Sequence, residues 1–575
     1  MRRRPANRPT TAPQAPRKPP PRPLPKAFRL IVLTVSALLL AGWFASAVAN
    51  PDTWWHLEAG RYIWQTRHLP SPDPFAFTTA LAKPAYAGEE MVRRFNLTHE
   101  WLAQTIFYLA WAAGGWAGLI LLRAAMLTAF CGLAGLVAFH RTGGFYRALA
   151  AAITAAAIAG NFAADRPYLF TYLLLAVTIY ILESAPKTAG SRRVLWLLPP
   201  LFLFWANCHG GYFLGWVALA AYCLPALLRR GAEPQPTGAR TLWIVSALCI
   251  VVSGINPNGF RALEVTLVYR SSTLQSSLWE WQHPQLWPPD LFAAVLFATA
   301  AALLVSFRKV RLCDWILFAA FAAASLVAIR NTILMAWLGP VLIAAYLPFV
   351  PRMPRWGEFA AAALLLAGVA GEIVAGNAFQ LRAEEWLYPK GAADFLLAHR
   401  ISGPIFNTYE HGGYLMWRLW PREKVFIDGR ALSDALFHDY QRMLYALPAD
   451  AEKSGLQLLD GYGIQTIVVN GFEYASGAIY MLPVSLSDPR QTDWKLVYQD
   501  AQAMVFLRHP PPDVTPFDST DALAGLESQC SAHIAHLPGE PLCARYLGIL
   551  FTRGGQPERG RRWTAIFQQL AGGGR

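Results

Sequence analysis

The sequence predicts an α-helical polytopic membrane protein of about eleven spans that carries a soluble α/β domain and a short helical tail. Three observations predict it. Of 575 residues, 54% are hydrophobic and only 15% are charged, and several runs approach the roughly 20 apolar residues that cross a bilayer. The loops between those runs are basic in alternation, which is the orientation signal of a multi-pass protein. From about residue 379 the long apolar runs stop, and strand-like segments alternate with amphipathic ones. Much of the net charge of +14 lies in the N-terminal tail and the short loops. It therefore reports topology and gives no reason to expect nucleic acid as a partner.

Residues 1–27 are rich in Pro and Arg and lack acidic residues. They read as a disordered basic cytoplasmic tail lying against anionic lipid. A transmembrane domain over 28–378 follows, its first span about 28–49. Ala47-Val48-Ala49 resembles a signal-peptidase site, but the apolar core is longer than the roughly 7–15 residues of a cleaved signal. The first outer loop, 50–99, opens with NPDTWWHLEAGRYIWQTRHLPSPDPF. Asn50 suits an N-cap and Pro51 the first helical position, so a helix is expected from Pro51 to about His68. Asp52 and His56 are four apart and share one face of it. Trp54 and Trp55 suit a membrane–water boundary, and Ser71-Pro72-Asp73-Pro74 is turn chemistry.

His99-Glu100-Trp101-Leu102 opens an apolar stretch that ends at Gly114-Gly115. At 100–114 it is too short to cross and reads as an interfacial helix. Further spans are expected at about 116–139, 147–163, 168–184, 194–207, 211–228, 241–254, 290–307, 312–329, 331–348 and 357–375. The cytoplasmic loops then hold Arg141 and Arg147; Lys187, Arg192 and Arg193; Arg229, Arg230 and Arg240; Arg308, Lys309 and Arg311; and Arg352 and Arg355. A full crossing by 100–114 would invert that agreement. The N-terminus is thus placed in the cytoplasm of an inner (plasma) membrane, and the soluble part outside.

The extracytoplasmic α/β domain is expected over 379–514. Helices are expected near 389–399, 434–445 and ending at 459–460. An apolar run is noted at 403–407, and strands are expected at 465–470, 495–499 and 503–507, with a further one ending at Asp428-Gly429-Arg430. Residues 515–575 read as helical, with one tetratricopeptide-like hairpin that must pack on the α/β domain. Five of the seven cysteines lie in or beside apolar runs as small core residues. Cys530 and Cys543 could pair in an oxidising compartment, and no CxxC or zinc spacing predicts a structural metal.

The polar and ionisable residues outside the basic loops gather on the outer side: the opening loop, Asp165-Arg166-Pro167, Asn207-Cys208-His209-Gly210-Gly211, Asn256-Pro257-Asn258-Gly259, Glu280-Trp281 and Arg330-Asn331. Charges beside an apolar core cost about 2.5–3.5 kcal/mol each on insertion scales, so they need a reason. The sequon Asn96-Leu97-Thr98 also falls there. Structural roles are available to most of these residues. Asp52 and Glu100 suit helix starts, Asp73 can fix a turn, and Arg166 and Arg330 can snorkel.

The layout resembles the membrane glycosyltransferases of the GT-C superfamily, such as the protein O-mannosyltransferases, the aminoarabinose transferase of lipid A and the catalytic subunit of oligosaccharyltransferase. The stretches D-x-W-W-H-L-x-x-G-R, L-P-S-P-D-P-F-A-F-T, H-E-W-L, W-A-N-C-H-G-G, E-H-G-G-Y-L-M-W-R and V-F-I-D-G-R are similar to bacterial membrane proteins related to that superfamily. The resemblance implies transfer of a sugar from a polyprenyl-phosphate-linked donor to an envelope glycan, lipid or protein. Asp52 would be the catalytic acid of the first outer loop. Several superfamily members pair two adjacent acids there, whereas Thr53 follows Asp52, so a partner acid must be Glu58, Asp73 or Glu100. His56 joins the catalytic candidates. Arg166, Arg330 and His209 would take the donor phosphate. A divalent cation, Mg or Mn, could bridge phosphate and carboxylates, although no spacing demands one. A non-catalytic envelope scaffold and a transporter of lipid-linked precursors are the competing expectations.

Overall fold

The computed structural model describes residues 26–185, 191–228, 239–347, 355–450 and 452–572. The N-terminal tail and the loop cations Lys187, Arg229, Arg230 and Arg352 lie outside them. The chain opens with α1 (Lys26–Phe44), α2 (Asp52–Thr66), α3 (Glu89–Thr98) and α4 (Trp101–Thr142). Next come α5 (Phe145–Ala159), α6 (Tyr168–Ser184), α7 (Leu198–Cys208), α8 (Phe213–Leu228) and α9 (Ala239–Ser253). After the short α10 (Ala262–Val268) and α11 (Thr273–Ser277), apolar helices resume with α12 (Leu291–Val305), α13 (Leu312–Val327), α14 (Thr332–Tyr346) and α15 (Arg355–Val374).

Among the described residues, four helical stretches are long and apolar enough to cross a membrane: Lys26–Phe44, Glu89–Thr142, Phe145–Phe162 and Ile329–Tyr346. Seven apolar helices of 10–17 residues accompany them. About eleven spans would therefore require the shorter helices to cross as well. The protein is a membrane protein by these helices, whose outward faces carry exposed Leu, Ile, Val and Phe. Helix α4 is broken at Gly115 (φ 58°, ψ −147°), a backbone geometry open essentially to glycine.

The C-terminal third holds α16 (Lys390–Ala398), β1 (Ile405–Asn407), α17 (Tyr409–Leu419), α18 (Asp434–Leu444), α19 (Gly455–Gly461), β2 (Thr466–Val469), α20 (Met481–Leu486), β3 (Lys495–Gln499) and β4 (Met504–Leu507). The sheet order is β1-β2-β4-β3; β1 runs parallel to β2 and the other pairs are antiparallel. Both faces of the sheet are covered. Ile405, Val468 and Val505 join the core shared with the helical bundle. Phe406, Ile467 and Phe506 face a second core with Leu526 and Leu547 of α21 (Asp521–His536) and α22 (Leu542–Arg553). The strands therefore read as unbroken apolar runs. Cys530 and Cys543 are bonded, joining α21 to α22. Helix α23 (Pro557–Gly572) packs on α22 as a single hairpin.

The strand expected to end at Asp428–Arg430 is absent. Only Val425 pairs, in an isolated bridge with Ala76. The Asn407 side chain takes the place of a ladder: its Oδ1 accepts from the Phe426 N–H and its Nδ2 donates to Ile427 O, both at 2.8 Å. The segment is left free to turn.

Candidate functional site

Helix α2 lies between the bundle and the sheet domain, packed on α4 and α17. Its start is built as the sequence implies. Asn50 Oδ1 accepts from the Asp52 N–H at 3.0 Å, and Pro51 holds helical dihedrals (φ −64°, ψ −25°). Trp54 and Trp55 do not sit at a lipid boundary. Both are buried, Trp54 among Trp116, Tyr388 and Tyr414. Trp55 Nε1 donates to Asp52 Oδ1 at 2.9 Å.

Asp52 opens into a cavity of about 520 Å³ that is also lined by Glu100, Arg166, His209, Glu280, Arg330, Tyr409 and Arg430. Four charges form a chain along its wall. Arg166 reaches Asp52 Oδ2 at 3.2 Å and Glu280 Oε2 at 2.9 Å. Arg330 meets Glu280 Oε1 at 3.3 Å and lies over the Trp281 ring at 4.7 Å. Burial raises the Asp52 carboxyl above its ordinary 3.8, with Arg166 and Trp55 opposing. Burial acts on Glu280 in the same sense, but Arg330 and Arg166 outweigh it and hold that carboxyl below its usual range.

The same cavity is lined by His99, Glu100 and His209. Glu100 Oε1 lies 3.3 Å from His99 Nε2 and 3.7 Å from His209 Nε2. Burial pushes His209 down to about 3, against the pull of Glu100. The Gly210-Gly211 pair lets this turn sit tightly. A Cβ on Gly210 would meet Phe95 at 2.8 Å, and one on Gly211 would meet Thr171 at 2.8 Å.

The candidate ligand atoms of His99, Glu100 and His209 lie within 4.8 Å of one another. Hydrogen bonding tests whether they would hold a cation. His99 Nδ1 faces the Phe95 carbonyl at 2.8 Å, which makes Nδ1 the donor and turns Nε2 toward Glu100. His209 Nδ1 accepts from the Gly211 N–H at 3.1 Å and pairs with the Thr171 hydroxyl at 2.8 Å. Its proton is therefore assigned to Nε2, the atom a metal would need. His209 would have to give up that proton to bind a cation, whereas His99 Nε2 is left as a lone pair facing the Glu100 carboxylate. At Asp52, a guanidinium already takes the carboxylate.

Five of the seven residues expected at the site reach the cavity: Asp52, Glu100, Arg166, His209 and Arg330. His56 and Asp73 do not line it. His56 is buried beside Trp55, its ring centroid 3.6 Å from the indole at a 37° tilt, with Nδ1 3.7 Å from Glu100 Oε2; burial pushes it down to about 3. Asp73 is held by Arg430 at 2.7 Å, Thr79 at 2.7 Å and the Phe75 N–H at 3.0 Å. It is a partner of the Asp428–Arg430 pair, which packs the sheet domain over the cavity. Glu58, a candidate partner acid, is turned away and pairs with Arg61. Asn96 of the sequon is buried, donates to Arg430 O and accepts from Tyr269, so it is closed to modification.

Sequence reasoning did not assign Glu280, His99 or Tyr409 to the site. The available signal for Glu280 was an acid between two tryptophans in an outer loop. Its partners lie 114 and 50 residues away.

No family model matches the chain, and no curated protein matches it. Among solved structures it is similar to the archaeal oligosaccharyltransferase AglB from Archaeoglobus fulgidus, in complex with an inhibitory peptide and a dolichol-phosphate. The TM-score is 0.51 at 11% identity, over 86% of this chain and 76% of that one. The chain has a GT-C-like fold. A second structure of the Archaeoglobus fulgidus oligosaccharyltransferase, tethered to an acceptor peptide containing an NVT sequon, gives 0.49 at 9% identity, over 86% and 77%. Asp52, in the segment after the first apolar helix, opens directly into the cavity.

Proposed function

We propose that the protein is an inverting glycosyltransferase that moves a sugar from a polyprenyl-phosphate-linked donor to an envelope glycan, lipid or protein on the outer face of the inner membrane. One observation carries the reading. In a GT-C-like fold, a carboxylate with a raised proton affinity shares one cavity with two arginines.

Asp52 is the general base. The acceptor oxygen attacks the anomeric carbon, the bond from that carbon to the donor phosphate oxygen breaks, and the electron pair leaves with the phosphate. The acceptor proton passes to the Asp52 carboxylate. Arg166 and Arg330 stabilise charge on the departing phosphate, since guanidinium forks match phosphate oxygens. Arg166 contacts both the base and the neighbouring anion position, so it aligns the two ends of the reaction. His209 offers its Nε2–H to the cavity.

The test incubates the purified chain with labelled polyprenyl-phosphate sugars and an envelope extract. Label should move to an acceptor with wild type and stay on the donor with Asp52→Asn. Equal labelling by both would overturn the assignment, and no labelling by either would leave the scaffold reading.

A further inference from the structure

Glu100 lines the cavity, buried and without a guanidinium of its own. Arg166 and Arg330 are taken by Asp52 and Glu280, and Arg430 by Asp428 and Asp73. Among the described residues, the groups able to carry positive charge within 4 Å of the Glu100 carboxylate are three imidazoles. His99 Nε2 stands 3.3 Å from Oε1, His209 Nε2 3.7 Å from the same oxygen, and His56 Nδ1 3.7 Å from Oε2. A buried carboxylate is paired with a cation or ligates a metal. His99 does not answer that charge as a neutral ring: Nδ1 holds its proton against the Phe95 carbonyl, and Nε2 turns a lone pair to the carboxylate. Something positive belongs between those two acceptors.

We propose that His99 Nε2, His209 Nε2 and a Glu100 oxygen bind one transition-metal ion of the zinc class, whose remaining coordination positions open to the cavity. The separations fit. Ligands about 2.0–2.1 Å from a tetrahedral ion stand about 3.4 Å apart, against 3.3 and 3.7 Å here. The surroundings fit as well. A ligating histidine usually passes its other ring N–H to a carbonyl or carboxylate, which fixes the ring and raises its basicity. His99 does so to Phe95 O, and its ring stacks on that of Phe95 with centroids 4.2 Å apart. His209 is fixed through Nδ1 by the Thr171 hydroxyl at 2.8 Å and the Gly211 N–H at 3.1 Å. Metal binding moves a proton on this ring without releasing one. Nε2 gives it up, and Nδ1 takes one and donates it to Thr171 Oγ1, at the expense of the longer Gly211 bond. Two imidazoles with one carboxylate suit zinc; magnesium prefers an all-oxygen shell. Asp52 is not a ligand, because Arg166 holds it.

The test reads bound metal and not transfer, so its failure and the failure of the proposed reaction are separate results. The full chain, purified without a histidine tag, is stripped with a chelator, placed in nanodiscs and titrated with zinc in the presence of millimolar magnesium. Wild type should retain one zinc per chain, and X-ray absorption at the zinc edge should show two imidazole nitrogens at about 2.0–2.1 Å. His99→Ala and His209→Ala should each lose the ion. Thr171→Val should weaken binding about tenfold, and Asp52→Asn should bind as wild type does. The absorption spectrum needs no variant, so the proposal stays testable if a substitution unfolds the chain. It is overturned by wild type that retains no zinc, by a spectrum with fewer than two imidazoles, or by loss of the ion in Asp52→Asn. A nitrogen NMR signal showing both His99 nitrogens protonated in the presence of excess zinc would also overturn it, because a proton would then fill the position.

Discussion

The two ends of helices α6 and α13 carry nearly the same chemistry and put it to different use. At one end Arg166, Arg330, Asp52 and Glu280 share the wall of the cavity. At the other, about 25 Å along the helices, Arg141, Arg311, Asp314 and Glu183 form a second cluster. Arg141 and Arg311 both bind Asp314, Arg311 also binds Glu183, and Tyr346 and Tyr222 donate to Asp314 and Glu183. Asp314 is 1% exposed, against 17% for Asp52. Two arginines and two carboxylates near a membrane core are therefore not evidence of a site by themselves. What differs is the acid at the centre: Asp314 is enclosed by two guanidiniums and the Tyr346 hydroxyl, whereas Asp52 opens on a space that a ligand can enter.

The largest expected effect separates the two ends. Asp52→Asn should lower transfer about 10²–10⁴-fold, the range for loss of a general base, with little change in thermal stability. Asp314→Ala should do the reverse. Removing one partner of a buried ion cluster costs about 3–5 kcal/mol, which will appear as a lowered melting temperature and reduced yield, with the transfer rate per folded molecule retained. Transfer assays and thermal melts on both variants would break the comparison if each affected the same quantity.

The helices were legible in the sequence because a membrane helix satisfies its own backbone, so apolar length fixes its bounds. The run expected at 168–184 is helix α6, Tyr168–Ser184. Asp52, Arg166 and Arg330 were legible as charges placed against apolar runs. What the sequence hid depends on distant partners. The segment before Asp428 has strand composition, but the Asn407 side chain satisfies its backbone. Asp73 read as a turn residue or a partner acid for Asp52, and its guanidinium partner lies 357 residues later. Trp54 and Trp55 resembled interfacial anchors because nothing nearby in sequence announces that α17 packs over them.

A pH profile sharpens the contrast at moderate scale. The base form of Asp52 exists above its pKa, which burial raises above 3.8. Transfer should fall as pH drops through a midpoint above the ordinary aspartate range. Arg166 lowers that pKa, so Arg166→Gln should move the acid limb to higher pH while also slowing transfer. An acid limb unmoved by Arg166→Gln would show that the titrating group is not Asp52.

The smallest effect probes how the sheet domain holds the open end. A Cβ on Gly429 would lie 2.2 Å from Asp52 Oδ1 and 3.0 Å from Trp55 Nε1. Gly429 has no left-handed φ to demand glycine, so proximity to the carboxylate is the reason for it. Its loop is locked by Arg430, which is bonded to Asp428 and Asp73. The loop cannot retreat without breaking a buried ion cluster, so Asp52 must move instead. Gly429→Ala should slow transfer and cost about 1–3 kcal/mol, the usual range for overpacking. Gly132→Ala in α4 is the control, because a Cβ there has nothing within 4 Å and should be neutral or slightly stabilising. In an Asp52→Ala background the stability cost of Gly429→Ala should shrink, since the atom it strikes is gone. A cost that stays the same in both backgrounds would mean that the loop meets the helix elsewhere, and that the sheet domain does not set the position of the base.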